Sequence, residues 1–218
     1  MEDLSIAQEY LVCAVNEKGK LSGFSTERMV CMVAAGLLEL QMEGCVSIED
    51  NRIVVIGELP ASMGYLKSMY DLINQPKPLT LDKLLNAYNY SFSGKALTEL
   101  TVAIGDSLEQ LGVVACEMGG LLKSTKCYIP KKGVVDHIID KVRSELLENG
   151  EITDEVVALV VLLEKSRCLK TYFSDHERRE IKNRLKEIVN SDEGKLVKRM
   201  VEYIETMTAV IIAATTAH

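Results

Sequence analysis

The residues that most clearly indicate a chemical role are lysines in one short segment of the chain, where they could bind a negatively charged group. Residues 120–133 contain four lysines and no acidic residue, although the whole chain has a formal net charge of −7. These lysines are Lys123, Lys126, Lys131 and Lys132. Apolar residues lie between them, including Tyr128 and Ile129, and the β-rich runs on either side of a Gly-Gly break predict a hairpin.

A hairpin of this composition predicts contact with a negatively charged surface. A lysine near an anionic membrane contributes about 1 kcal/mol, and Tyr128 and Ile129 would enter the headgroup region. Two other interpretations stay open: lysines protect an edge hairpin from aggregation, and the hairpins of two subunits could pair. We expect lipid or anion binding at the four lysines, and membrane insertion or homo-oligomer formation at Tyr128 and Ile129.

The remaining reactive residue types form no recognisable catalytic or metal-binding pattern. Six cysteines are present, at Cys13, Cys31, Cys45, Cys116, Cys127 and Cys168. Because none of them forms a Cys-x-x-Cys pair, we expect free thiols in a reducing compartment. The sequence contains no phosphate-binding loop, HExxH or GxSxG motif. We therefore expect a non-enzymatic protein without a cofactor or metal site.

Composition narrows the class of protein further. The 218 residues are 47% hydrophobic and 26% charged, which is typical of a globular chain. An acidic chain argues against a nucleic-acid partner, because dedicated nucleic-acid binders usually have a pI above ~9. No secretory signal pattern begins the sequence, and its most apolar stretch, residues 207–214, is shorter than the ~20 residues of a spanning helix. We predict a cytoplasmic protein, either free or peripheral on a membrane.

Helical periodicity dominates the elements that must position the lysines. Residues 156–163 are apolar on all sides and follow Thr153, which predicts a capped, central helix. Ser174 and Glu177 match a capping box before a basic amphipathic helix. The predicted fold class is mainly α: a helical bundle core wrapped by amphipathic helices, with one or two small β-hairpins.

Two segments share the order helix, glycine, two β-rich runs and proline, at residues 29–60 and 98–130. Helix followed by hairpin is the pattern of a winged-helix unit, so we predict a winged-helix-like N-terminal part. We treat residues 1–218 as a single domain, with a division into 1–130 and 131–218 as the alternative. The candidate recognition helix of a DNA-binding regulator, residues 25–42, has Arg28 as its sole basic residue, whereas phosphate contacts require several cations.

Five segments share their order and spacing with a known family. They are residues 4–12 (LSIAQEYLV), 18–20 (KGK), 34–40 (AAGLLEL), 108–114 (LEQLGVV) and 158–163 (ALVVLL). Together they resemble the Golgi phosphoprotein 3 family over almost the whole chain. The resemblance implies a helical bundle with a protruding hairpin used for membrane contact or self-association. It also implies a peripheral membrane adaptor that recognises phosphatidylinositol 4-phosphate.

The same resemblance implies a ligand pocket, which in family members contains a tryptophan and several arginines. By the order of the motifs, the tryptophan position falls at Phe24, which keeps an aromatic ring and is a candidate lipid-binding residue. The first arginine falls at Val33, and the paired helix arginines fall near Thr98 and Thr101. Valine and threonine supply no cation for a 4-phosphate, so the sequence departs from the family's ligand pattern while it keeps the scaffold.

The leading functional hypothesis is therefore a non-enzymatic peripheral protein that docks on an anionic phospholipid membrane through its lysine-rich hairpin. The alternatives are a winged-helix DNA-binding regulator and an oligomeric scaffold joined through the hairpin. The protein partners are unknown.

Overall fold

The computed structural model describes residues 3–21, 26–89, 95–120, 125–148, 150–190, 198, 201–206 and 209. The described helices are α1 (Ile6–Ala14), α2 (Thr26–Met42), a 3₁₀ helix (Ala61–Leu66), α3 (Lys67–Ile73), α4 (Leu81–Asn89), α5 (Lys95–Gln110), α6 (Val134–Leu146), α7 (Asp154–Lys165), α8 (Leu169–Tyr172) and α9 (Asp175–Asn190). The described strands are β1 (Val46–Glu49), β2 (Arg52–Val55), β3 (Leu79–Thr80), β4 (Val114–Gly119) and β5 (Thr125–Pro130). The fold is mainly α, as the sequence predicted.

Three buried helices form the centre of the core, because their sequences are apolar on nearly every side. α1, α2 and α7 pack against one another. Residues 156–163 of α7 are all buried, and the Thr153 hydroxyl caps the helix by accepting the Val156 N–H. Ser5 caps α1 in the same way, with Gln8 completing a capping box. The central buried helix predicted from the sequence is therefore confirmed.

Capping chemistry also fixes the start of the basic helix α9. The Ser174 N–H donates to Glu177 Oε2 over 2.7 Å, and the Glu177 N–H donates to the Ser174 hydroxyl over 3.3 Å. The second carboxylate oxygen of Glu177 accepts the Arg143 Nε–H. Chiefly because of that bond, the pKa of Glu177 falls to about 2. This confirms the predicted capping box and ties α9 to α6.

Two small antiparallel sheets complete the described fold. β1 pairs with β2 from Val46↔Val55 to Glu49↔Arg52, and Asp50 and Asn51 between them both have positive φ angles, which is typical of a tight hairpin turn. β3 adds a third strand beside β2. β4 pairs with β5 from Val114↔Pro130 to Gly119↔Thr125. Both predicted hairpins are present, while β3 was not predicted because two residues carry too little pattern.

The burial of α2 argues against its interpretation as the recognition helix of a winged-helix unit. The order helix then hairpin occurs at α2 with β1–β2 and at α5 with β4–β5. However, residues 30–40 of α2 are buried, and Arg28 donates a hydrogen bond from Nη1 to the Ala14 carbonyl oxygen. A recognition helix needs an exposed face that enters the DNA major groove, so α2 cannot act as one in this fold.

The buried apolar residues form a cluster that contains both Leu4 and Ile204. It therefore includes residues from both sides of position 130, although the subdivision of the chain stays a prediction. All six cysteines are free, and five of them are buried, as expected. Among the described helices, none combines the length and apolar character needed to cross a membrane.

One buried carboxylate joins three elements of the core. Glu39 of α2 is 5% exposed and accepts hydrogen bonds from the Ala7 N–H, over 3.0 Å, and from the Tyr65 hydroxyl. These bonds attach the first turn of α1 and the 3₁₀ helix to α2. Burial raises the pKa of Glu39, and the hydrogen bonds only partly oppose that effect.

We predict that Glu39→Gln gains stability over the wild type as the pH rises. Because the folded-state pKa of Glu39 lies above its ordinary value of 4.5, the folded protein holds this proton more tightly than the unfolded chain, and the free energy of unfolding falls with rising pH. Glutamine has no carboxyl group to titrate, so the Glu39→Gln variant does not lose stability in this way. Urea unfolding at several pH values measures the difference, with Glu148→Gln at an exposed site away from Glu39 as the control. A Glu39→Gln difference that does not change with pH would contradict the prediction.

Candidate functional site

The hairpin formed by β4 and β5 is fixed to the rest of the fold along the outer edge of β5. The Tyr128 N–H donates to the Gly19 carbonyl oxygen over 2.7 Å. Gly19 has a φ of +66°, and a Cβ at this position would lie 2.6 Å from the Tyr128 carbonyl carbon. Only glycine fits both this backbone conformation and this close approach. The turn from Asn16 to Leu21 therefore lies directly against the hairpin.

Whereas the Tyr128 backbone contacts the turn from Asn16 to Leu21, its side chain packs against helix α5. Its ring lies on Gly105, where a Cβ would be 2.3 Å from Tyr128 Cε2. The Tyr128 hydroxyl lies 2.7 Å from Asp106 Oδ1 and 3.1 Å from the Val102 carbonyl oxygen. Burial, followed by the bond to Asp106, raises the pKa of Tyr128. This ring joins the hairpin to α5.

The environment of the Tyr128 side chain therefore differs from the one that the sequence predicted. The prediction placed its ring at an exposed tip, ready for a membrane or a second subunit, whereas the residue is 2% exposed. The physical reason is the small surface that Gly105 offers on α5, which leaves room for an aromatic ring. Ile129 is half-buried, and it lines a cavity of about 700 Å³ together with Pro130 and Lys18.

Lys126 is also engaged within the chain. Its ammonium group lies 2.7 and 2.8 Å from the two carboxylate oxygens of Asp106. Desolvation raises the pKa of Asp106, but the hydrogen bonds from Lys126 and Tyr128 outweigh it, so the pKa lies below its ordinary value. The charge of Lys126 is thus balanced by a carboxylate in the same subunit, which the sequence analysis did not anticipate.

Three other lysines around the hairpin differ from Lys126. Lys131 and Lys132 are exposed beside the end of β5, and Lys20 lies over β4, with Nζ 3.4 Å from where a Gly119 Cβ would be. Within the residues that the structure describes, none of these three ammonium groups forms an ion pair. We call Lys20, Lys131 and Lys132 the hairpin lysines. Two further predicted site residues, Lys123 and Phe24, lie outside the described residues.

A cavity of about 630 Å³ opens between α5, the hairpin and the turn from Asn16 to Leu21. Its apolar lining comes from Leu21, Met29, Leu97, Val102 and Met118. Its polar lining comes from Lys20, Thr98, Thr101, Thr125, Lys126 and Tyr128. This combination of apolar walls with a few cations and hydroxyls is typical of a small-molecule or lipid-headgroup site.

Of the pocket positions that the resemblance implied, Thr98 and Thr101 line this cavity, while Val33 is a fully buried core residue. Lys20 also lines this cavity, although no pattern in the sequence marked it as a site residue. In the sequence, the Lys-Gly-Lys turn stands out only as one of the segments that resemble the family. Its contact with β5 joins residues more than a hundred positions apart, and no local pattern reports such a contact.

Comparison with known proteins gives one family. The model of the Golgi phosphoprotein 3 (GPP34) family matches residues 6–205. The matched range contains α5, both strands of the hairpin and the turn from Asn16 to Leu21. No curated protein matches the chain.

We predict that Gly105→Ala destabilises the protein and displaces the hairpin. The added methyl group would overlap the Tyr128 ring, and overpacking of this kind typically costs about 1–3 kcal/mol. Thermal unfolding measures the loss, and exchange of the Tyr128 amide reports on the bond to Gly19. Gly64→Ala is the matched control, since a Cβ there meets no atom within 4 Å. Equal midpoints for the two variants would show that the contact with Gly105 does not hold the hairpin.

Proposed function

The chain belongs to the Golgi phosphoprotein 3 family, and from that premise we propose that it is a non-enzymatic peripheral membrane protein that binds anionic phospholipid surfaces. The contact surface consists of the hairpin lysines and the cavity between α5, the hairpin and the turn from Asn16 to Leu21. The association is peripheral and electrostatic, with a limited apolar contribution.

The observation that carries this proposal is the position of the hairpin lysines. The chain as a whole is acidic, with a formal net charge of −7, so its net charge opposes approach to a negative membrane. Three lysines at the hairpin lie without an ion pair within the described residues: Lys20, which lines the apolar cavity, and Lys131 and Lys132, which follow the end of β5. Each such cation gains about 1 kcal/mol near an anionic membrane. The protein would therefore approach the membrane with this side.

Met118, rather than Tyr128, provides the apolar part of the proposed membrane contact. Met118 is 51% exposed and lies opposite Lys126 in the register of the hairpin. A methionine side chain is flexible and polarizable, so it adapts to an irregular surface. One exposed methionine gives a weak anchor, which suits reversible binding governed by charge.

Self-association through the hairpin is a second proposal, supported by the free edge of β4. In the described part of the chain β4 pairs with β5 alone, and Ala115 and Glu117 on it are exposed. An open strand edge can pair with a second copy. Light scattering on a variant lacking residues 115–129 would return the monomer mass if the hairpin joins subunits.

We predict that vesicle binding depends on the hairpin lysines. The wild type should co-sediment with vesicles of phosphatidylcholine and an anionic phospholipid, and less so as salt is added, because salt screens exposed charges. The variant Lys20→Ala/Lys131→Ala/Lys132→Ala should lose most of this binding. Its affinity should fall by a factor of about a hundred if each lysine contributes ~1 kcal/mol.

The matched control is Lys77→Ala/Lys83→Ala/Lys170→Ala, which removes the same charge from three exposed lysines that form no ion pair within the described residues, one between α3 and α4, one on α4 and one on α8. This variant should bind the vesicles nearly as well as the wild type. If both triple variants lose binding equally, net charge alone controls it and the hairpin has no special part. If the hairpin variant binds like the wild type, the proposed surface is wrong.

A further inference from the structure

We infer that the cavity beside the hairpin selects a phospholipid headgroup with a single phosphodiester charge and free hydroxyl groups, as in phosphatidylglycerol. This inference rests on the proposed function and adds the class of lipid. It is carried by the charges and hydrogen-bonding groups that line the cavity.

The charge at the cavity is matched to one negative group. Lys20 and Lys126 both line it, but Lys126 holds both carboxylate oxygens of Asp106 at 2.7 and 2.8 Å. Asp106 therefore neutralises one of the two ammonium groups. Among the described lining residues, Lys20 remains as the cation for a ligand, and one phosphodiester carries one negative charge. Its donors can reach a phosphate oxygen in the cavity, since Lys20 is one of the lining residues and its Nζ lies beside Gly119 of β4.

The hydroxyl groups in the cavity suit a ligand that donates hydrogen bonds. Thr101 donates its hydroxyl proton to the Leu97 carbonyl oxygen over 2.8 Å. Its oxygen can therefore only accept a further hydrogen bond, which a phosphate oxygen cannot give and a glycerol hydroxyl can. The apolar side chains of Leu21, Met29 and Met118 meet the hydrocarbon part of the same lipid.

A headgroup with an added phosphate monoester fits this cavity poorly. Such a group carries a charge of about −1.5 to −2, and recognition usually requires a guanidinium fork or several fixed cations. Thr98 and Thr101 lie one turn apart on α5 at the cavity wall, and neither supplies a cation. The second negative charge would be left beside the Asp106 carboxylate.

The experiment compares vesicles of equal surface potential, one set containing phosphatidylglycerol and the other phosphatidylinositol 4-phosphate. The wild type should bind the phosphatidylglycerol set about tenfold more tightly, the effect of one charge-assisted hydrogen bond. Lys20→Ala should abolish the difference, and Lys20→Arg should keep it. Thr98→Arg should raise affinity for the phosphatidylinositol 4-phosphate set, whereas Gln75→Arg, which adds the same charge at an exposed site, should not.

The outcomes separate this inference from the proposed function. Equal binding to both sets overturns the inference and leaves membrane binding in place. Tighter binding to phosphatidylinositol 4-phosphate also overturns it. Binding to neither set overturns the proposed function, and the inference with it. Thermal unfolding of each variant, at a midpoint near that of the wild type, shows that a change in binding is not a loss of the fold.

Discussion

The position of the hairpin depends on the close packing of Tyr128 between two glycines. Its backbone lies against Gly19 and its ring against Gly105, at distances that a side chain at either glycine would prevent. The hydrogen bonds of Tyr128 to Gly19 and to Asp106 fix the orientation of its backbone and side chain within this packing. Since α5, β5 and the turn from Asn16 to Leu21 all border the cavity, the same contact also determines the shape of the site.

Asp106 connects this packing to the electrostatics of the site. It lies next to the Tyr128 hydroxyl and holds Lys126 by both carboxylate oxygens. The pair orders one side of the cavity but removes the charge of Lys126 from any interaction with a membrane. Among the described residues around the hairpin, Lys20, Lys131 and Lys132 form no ion pair, and of these three Lys20 lines the cavity. The described lining of the cavity therefore contains one cation without an ion pair, Lys20.

Local chemistry made much of the fold predictable from the sequence. Thr153, Ser174 and Glu177 cap helices through neighbours three residues away, and the turn at Asp50 and Asn51 has the polar residues that tolerate positive φ. Residues 156–163 are all apolar, so a helix made of them was predicted to be buried on every side. Each of these features depends on contacts within a few positions, so the residue types report them directly.

The site was less predictable because its contacts are long-range. An aromatic residue between lysines is consistent with an exposed hairpin tip, and only the proximity of Gly105 shows that Tyr128 is buried. In the same way, the charge of Lys126 cannot be judged without Asp106, which lies on another element. Lys20 reaches the hairpin through a turn whose sequence indicates no partner. The sequence therefore predicted the hairpin of β4 and β5, but assigned Tyr128 and Lys126 to the wrong environment.

Hydrogen–deuterium exchange with and without vesicles would test the membrane-facing surface most directly. With vesicles that contain phosphatidylglycerol, we expect slower exchange in the turn from Asn16 to Leu21 and in β4 and β5. Vesicles of phosphatidylcholine alone should leave exchange in these segments unchanged. Protection confined to α9 or to the sheet of β1, β2 and β3 would contradict the assignment of the membrane contact to the hairpin.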